Sequence, residues 1–227
     1  VGEIESQLER EYELPRSGVD QKAWWEEVGY KIKACQDCHS AFRLRKGLYK
    51  RYVEEATPIA HFTAHRADFR NAEVIMHPGN QSFDAEVKVR GGTEYVEVVN
   101  AEDGHLFNVT AKLLNKFGVA PGTVSRGISK LKDMLKSDST PEWFGDVIHG
   151  FEEHQRIEKR LVSEIEKKIA HGYTGTFHLL AGLNLDCQFD ELSEMAARLK
   201  AKFAAQKAFA SITIFERRSA KVVQVLP

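Results

Sequence analysis

Ser82–Ala101, SFDAEVKVRGGTEYVEVVNA, is the stretch on which the reading of the fold turns. Two alternating runs rich in β-branched residues flank Gly91-Gly92, a pair that accepts the positive φ angles of a tight primed turn. With these glycines as the turn, the spacing predicts a hairpin pairing Arg90 with Thr93, Lys88 with Tyr95, Glu86 with Glu97 and Asp84 with Val99. Side chains alternate along a strand and paired residues share a face, so Phe83, Ala85, Val87, Val89, Val96 and Val98 form one apolar side. The other side carries Asp84, Glu86, Lys88, Tyr95 and Glu97. Three carboxylates in so small an area repel one another, and a divalent cation would offset that repulsion. Asp84, Glu86 and Glu97 are therefore candidate ligands for Mg²⁺, which takes one or two carboxylates together with waters and phosphate oxygens. The plain alternative is a solvated sheet face on which Lys88 compensates the acids.

Upstream, Ile4, Leu8 and Tyr12 mark a first helix ended by Pro15-Arg16-Ser17-Gly18. A second is expected from Asp20, as N-cap, towards Thr57-Pro58, with a break at Gly47. The run 72–77 reads as a strand, and Pro78-Gly79-Asn80 turns it into the hairpin. Downstream the period returns to helical over 105–117, 124–135 and about 151–169, the last with Ile157, Leu161, Ile165 and Ile169 every four residues. The apolar run within 176–185 reads as a strand covered on both faces. A helix at 192–203 and strands at 210–215 and 221–226 complete the chain. A hairpin strand, a crossover helix and a second apolar strand make a βαβ unit, which predicts an α/β protein: a three-layer α/β/α domain with a mixed sheet. Residues 1–60 are expected to pack as a helical segment on a core of 61–227, with a helical insertion at about 104–145.

This order resembles the PD-(D/E)XK nuclease superfamily, the restriction-endonuclease-like fold. Its core has an acid near the start of one hairpin strand, a Glu-x-Lys on the next, a crossover helix and a further strand. Asp84 in SFDAEV and Glu97 in YVEVVNA stand at the two acidic positions, over roughly residues 72–217. The resemblance implies a metal-dependent nuclease in which Asp84 and Glu97 hold Mg²⁺, or a catalytically weakened relative. Val99 occupies the place of the family's lysine and can neither polarise a water nor neutralise charge. Lys88 shares the acidic face and is the candidate catalytic lysine, with Lys159 and Arg160 of the crossover helix as other sources of the charge. Glu86-Val87-Lys88 also spells Glu-x-Lys, in a second register with Asp68 as partner, but on the wrong strand of the hairpin.

A formal net charge of −1 over 227 residues gives no general polyanion signature, so nucleic-acid contact has to come from a local patch. Arg43, Arg45, Lys46, Lys50 and Arg51, interleaved with tyrosines, form the densest basic stretch and are candidate phosphate contacts. A solvated helix face explains the same residues. A second reading, from a different class, is a non-enzymatic DNA-binding protein. Residues 113–131 resemble a helix-turn-helix in which Ser125, Arg126 and Lys130 would face DNA, although Leu114 and Gly127 depart from the pattern. The plain version is two helices joined by a Gly/Pro loop. Cys35-Gln36-Asp37-Cys38-His39 matches a haem-attachment pattern, a redox pair or half a zinc site; two cysteines on a helix among packing aromatics are most often core, and the set is expected to be structural. An odd count of three cysteines and no apolar targeting stretch lead to the expectation of a reducing, cytoplasmic setting. No run is long and apolar enough to span a membrane, so no membrane partner is expected.

Overall fold

A computed structural model describes residues 2–36, 38–45, 47–79, 81–101, 104–117, 128–137, 150–183, 189–217 and 219–227. Helix α1 (Gly2–Glu11) is joined to α2 (Gly18–Ala34) through the short strand β1 (Arg16–Ser17). Ser17 starts α2: its Oγ accepts the Asp20 N–H at 3.1 Å, and its hydroxyl donates to Asp20 Oδ2 at 2.6 Å. Ser17 is thus the N-cap and Asp20, expected in that place, is its reciprocal partner inside the first turn.

The long helix expected next is broken at Cys35 and again at Gly47, whose φ is +52°. Between the breaks lies α3 (Cys38–Arg43), tied back to the end of α2 by a Cys35–Cys38 disulfide. After α4 (Leu48–Arg51) a π-helical turn, Tyr52–Ala56, feeds directly into α5 (Thr57–His65). Pro58 therefore does not end the helix. It sits in the first turn of α5, where a missing N–H costs no intrahelical bond.

Strands β2 (Glu73–Met76), β3 (Ala85–Val89), β4 (Gly92–Asn100), β5 (Thr176–Leu183), β6 (Ser211–Glu216) and β7 (Lys221–Leu226) join β1 in a seven-stranded mixed sheet ordered β1 to β7. The β4–β5 and β5–β6 pairs are parallel and the others antiparallel. The parallel seat of β5 against β4 is the one its apolar run predicts.

The hairpin register differs from expectation by two residues. Ala85 pairs with Val96, Glu86 with Tyr95 and Val89 with Gly92, which leaves Arg90-Gly91 as the turn. The positive φ falls on the closing residue, +140° at Gly92, and not on the two central residues, so the turn is not a primed one. An offset of two keeps every side chain on its expected face, because the period of a strand is two. Its effect is to give Glu86 the partner Tyr95 in place of Glu97.

Tyr12, Trp24, Val28, Tyr49, Ile59 and Phe69 of the N-terminal half bury against Val74, Met76, Ala85, Val87, Val96, Val98 and Leu180 of the sheet. Packing divides the chain into two units, one of Val1–Ala101 with Leu161–Pro227 and one of Glu102–Arg160. The second unit holds α6 (Gly104–Phe117), α7 (Ile128–Lys136) and the first half of α8 (Gly150–Ala170). Val109, Leu113 and Leu131 bury between α6 and α7, and Lys116 Nζ donates to the carbonyls of Leu135 and Ser137, closing the end of α7. In the first unit, α9 (Phe189–Phe203) leads into β6.

Candidate active site

Asp84 lies just before β3, where the ladder with β4 would otherwise end. Its N–H donates to the Val96 carbonyl at 2.8 Å, and its carbonyl accepts the His77 N–H at 2.8 Å. Its side chain extends the ladder by one more rung: Oδ2 accepts the Val98 N–H at 2.7 Å. The same carboxylate therefore lies beside Glu97, which is 5% exposed. Burial, and then the neighbouring Asp84, raise the Glu97 carboxyl to about 7. Burial also raises Asp84, against the Val98 N–H, Lys168 and Arg51, which favour its charged form.

Two groups that the sequence reading did not place complete this cluster. Lys168, near the end of α8, donates from Nζ to Glu97 Oε1. Glu55, on the π-helical turn, is half-buried and raised to about 7, by burial first and by Asp84 second. Arg51 draws it down, as does the Tyr12 hydroxyl, which donates to Glu55 Oε2 at 3.3 Å. A π-turn often marks a functional position, because it swings consecutive side chains off the regular helical stripe. Here it sends Glu54 to Arg45 and Lys50 while Glu55 meets Tyr12.

Two expected members of the site are elsewhere. Lys88 is exposed and pairs with Glu73 across the β2–β3 ladder at 2.6 Å, since Glu73 is its directly opposed neighbour. Glu86 faces His77 at 3.6 Å and is the cross-strand partner of Tyr95. Lys159 is exposed, and Arg160 belongs to the second unit. The basic stretch is partly neutralised within itself: Arg45 and Lys50 lie 3.0 and 3.9 Å from Glu54, while Arg51 acts electrostatically on Glu55 and Asp84. Lys46, Ser125 and Arg126, and the side chains of Arg43 and Lys130, lie outside the described residues.

The donor set suits a hard divalent ion, because buried carboxylates that repel one another gain from a shared cation. Asp84 and Glu97 would hold it. Among the described residues no three His, Cys, Asp or Glu groups converge as a metal site, so waters and substrate oxygens would complete the shell.

A second polar cluster crosses the opposite face of the sheet. His178 Nε2 is 2.6 Å from Glu94 Oε2 and its Nδ1 is 2.7 Å from Ser211 Oγ, a Ser-His-Glu succession over three neighbouring strands. Arg66 Nη1 donates to the same Nδ1 at 3.1 Å. A guanidinium cannot accept, so Nδ1 is the bare nitrogen and Nε2 carries the proton given to Glu94. The order is that of a nucleophilic triad, but Ser211 is 1% exposed, which closes it to substrate. The cluster instead fastens the end of α5 to β4, β5 and β6. No protein-family model, curated protein or solved structure matches the chain.

Proposed function

We propose that this protein is a metal-dependent phosphodiesterase acting on nucleic acid, built on a PD-(D/E)XK-like core in which the lysine missing at Val99 is supplied by Lys168. The observation that carries this reading is the Lys168–Glu97 ion pair, with the Asp84 carboxylate held on the N–H of Val98, the residue next to Glu97. Asp84 and Glu97 bring the two acids of the motif together, and Lys168 reaches them from the crossover helix. Bound there, Mg²⁺ would supply a Lewis acid towards a phosphate oxygen and a water of lowered pKa.

The remaining roles belong to the chain. Lys168 sets a positive charge beside Glu97, where it neutralises charge developing on a phosphate and orients the attacking water. Glu55, raised to about 7 by burial and by Asp84, holds a proton for the leaving oxygen. The Tyr12 hydrogen bond fixes its position, and Arg51 and Tyr12 limit the rise.

The test is cleavage of labelled single- and double-stranded DNA and RNA with Mg²⁺ or Mn²⁺. Wild type is expected to cut at least one of these. Lys168→Met should lower the rate about 10²- to 10³-fold, the usual loss of one charge-stabilising group. Asp84→Asn should reduce it to background. A Lys168→Met protein as fast as wild type removes Lys168 from the chemistry, and a wild type silent on all four substrates removes the nuclease reading.

A further inference from the structure

The Cys35–Cys38 disulfide stands where α2 stops and α3 starts. Cys35 caps the end of α2, its N–H donating to the carbonyls of Lys31 and Ile32. Cys38 is the first residue of α3, and its N–H donates to the Cys35 carbonyl at 3.1 Å. A bridge this short in sequence removes little freedom from the unfolded chain, since that loss grows with the logarithm of loop length. What it fixes in the folded state is larger. Helix α3 has six residues, too few to hold itself as a helix, and the sulfur bond ties its first residue to the end of α2.

The two cysteines sit in different surroundings. Cys38 is fully buried, in the core that also holds Tyr49 and Tyr52, whereas Cys35 is half-buried between exposed Ala34 and Gln36. Thiol–disulfide exchange needs this asymmetry: one sulfur within reach of an attacking thiolate, and a second behind it that leaves and later returns. Past the bridge, α3 is linked to the π-helical turn. Phe42 lies 6.4 and 6.5 Å from the rings of Tyr49 and Tyr52. Arg45, just after α3, has a φ of +46°, a left-handed conformation that a residue with a side chain keeps only where its neighbours hold it. Its guanidinium is held by Glu54 at 3.0 Å, and Glu54 adjoins Glu55 of the acidic cluster.

We infer that the Cys35–Cys38 bridge is a thiol–disulfide exchange site, opened by a dithiol reductant through attack on Cys35, and that opening it loosens α3 and the π-helical turn behind it. A thiolate of the reductant attacks Cys35 Sγ, the bond to Cys38 Sγ breaks, and Cys38 leaves as a thiolate. The reductant is then joined to Cys35 by a mixed disulfide. Its second thiolate attacks its own sulfur in that bond, which closes the reductant's disulfide and releases Cys35. Two electrons have passed from the dithiol to the bridge, and the two protons that the dithiol gave up end, through water, on Cys35 and Cys38. An oxidised dithiol reverses both steps.

The test uses the full chain under native conditions, with dithiothreitol as the dithiol and peptide masses as the readout, so that Cys187 is counted separately. Reduction of the bridge is expected at a rate proportional to dithiothreitol and about tenfold or more above the rate of global unfolding. Glutathione disulfide should load Cys35 in the Cys38→Ser protein and leave Cys38 unloaded in the Cys35→Ser protein. In the reduced wild type, amides of residues 38–56 should exchange about tenfold faster than in the oxidised protein, with α6 and α7 unchanged. A double variant, Cys35→Ser with Cys38→Ser, should match the reduced protein and ignore the dithiol. Reduction no faster than unfolding, loading of Cys38 as readily as Cys35, equal exchange over 38–56 in the two states, or a double variant that still responds overturns the inference. The wild-type kinetics and exchange decide the matter even where a variant fails to fold. None of these readouts depends on cleavage, so the exchange site stands or falls apart from the nuclease reading.

Discussion

Asp84 serves the backbone and the acidic cluster with one carboxylate, and this governs how it can be tested. Asp84→Ala removes the acceptor of the Val98 N–H and leaves that donor unpaired, whereas Asp84→Asn keeps an oxygen in place. Glu97 and Glu55 carry a linkage whose sign is easily mistaken. Their carboxyls are held at about 7 in the folded protein against 4.5 ordinarily, so between those values the folded state keeps protons that the unfolded chain has released. The contribution of these two groups to stability is then complete below 4.5 and is lost as pH rises through 7. Glu97→Gln is expected to gain on wild type over this window, by at most about 3 kcal/mol at pH 8 relative to pH 4. Urea unfolding at the two pH values checks it. A gain that does not change with pH would mean that Glu97 ionises freely in the fold. In the wild type, added Mg²⁺ or Mn²⁺ should raise the melting temperature more at pH 8 than at pH 5, since the ionised carboxylate is the ligand.

At the scale of elements, β5 carries the counterpart of opposite sign. Burial lowers the pKa of His178, chiefly against the pull of Glu94, while Arg66 and Ser211 face the ring's other nitrogen. The contribution of this histidine is complete above 6.5 and is lost as pH falls below it, because the unfolded chain takes up the proton first. His178→Gln should therefore flatten the acid side of the unfolding curve. An acid limb as steep as that of wild type would place the transition elsewhere. The Cys35–Cys38 bridge closes a loop of only a few residues, and its reduction is expected to cost about 2 kcal/mol. A melt with and without a thiol reductant measures this.

The hairpin, the parallel seat of β5 and the helical period of α8 were legible because each rests on a repeat of apolar residues that the sheet or core enforces. Ile157, Leu161 and Ile165 are all buried. The register of the hairpin was not, because Gly91 and Gly92 allow two turns and only backbone geometry chooses between them. Lys168 was missed for a different reason. A crossover helix runs back against its strands, so its last turn, not its middle, lies over the strand beginnings; looking to Lys159 and Arg160 stopped about two turns short. Glu55 left no periodic trace, since the π-turn that aims it is invisible to a 3.6-residue pattern.

Across the whole molecule, the pairings that build the acidic cluster are long in sequence. Glu97 and Lys168 are 71 residues apart, and the unit Glu102–Arg160 lies between them in the chain. That unit is contiguous and gathers its contacts locally between α6 and α7, whereas β4 waits for β5, β6 and β7. Hydrogen exchange is expected to show amides in α6 and α7 exchanging with a free energy different from those of β4 to β6. A single shared value would mean that the two units open together. The same arrangement has a consequence for synthesis on the ribosome. Val109, Leu113 and Leu131 can pack as soon as α7 has emerged, but Glu97 has no Lys168 to pair with until α8 is nearly complete. A nascent chain halted before Lys168 would carry both acids of the proposed site yet lack the charge proposed to make them a catalyst, so any cutting activity is deferred until α8 has been made.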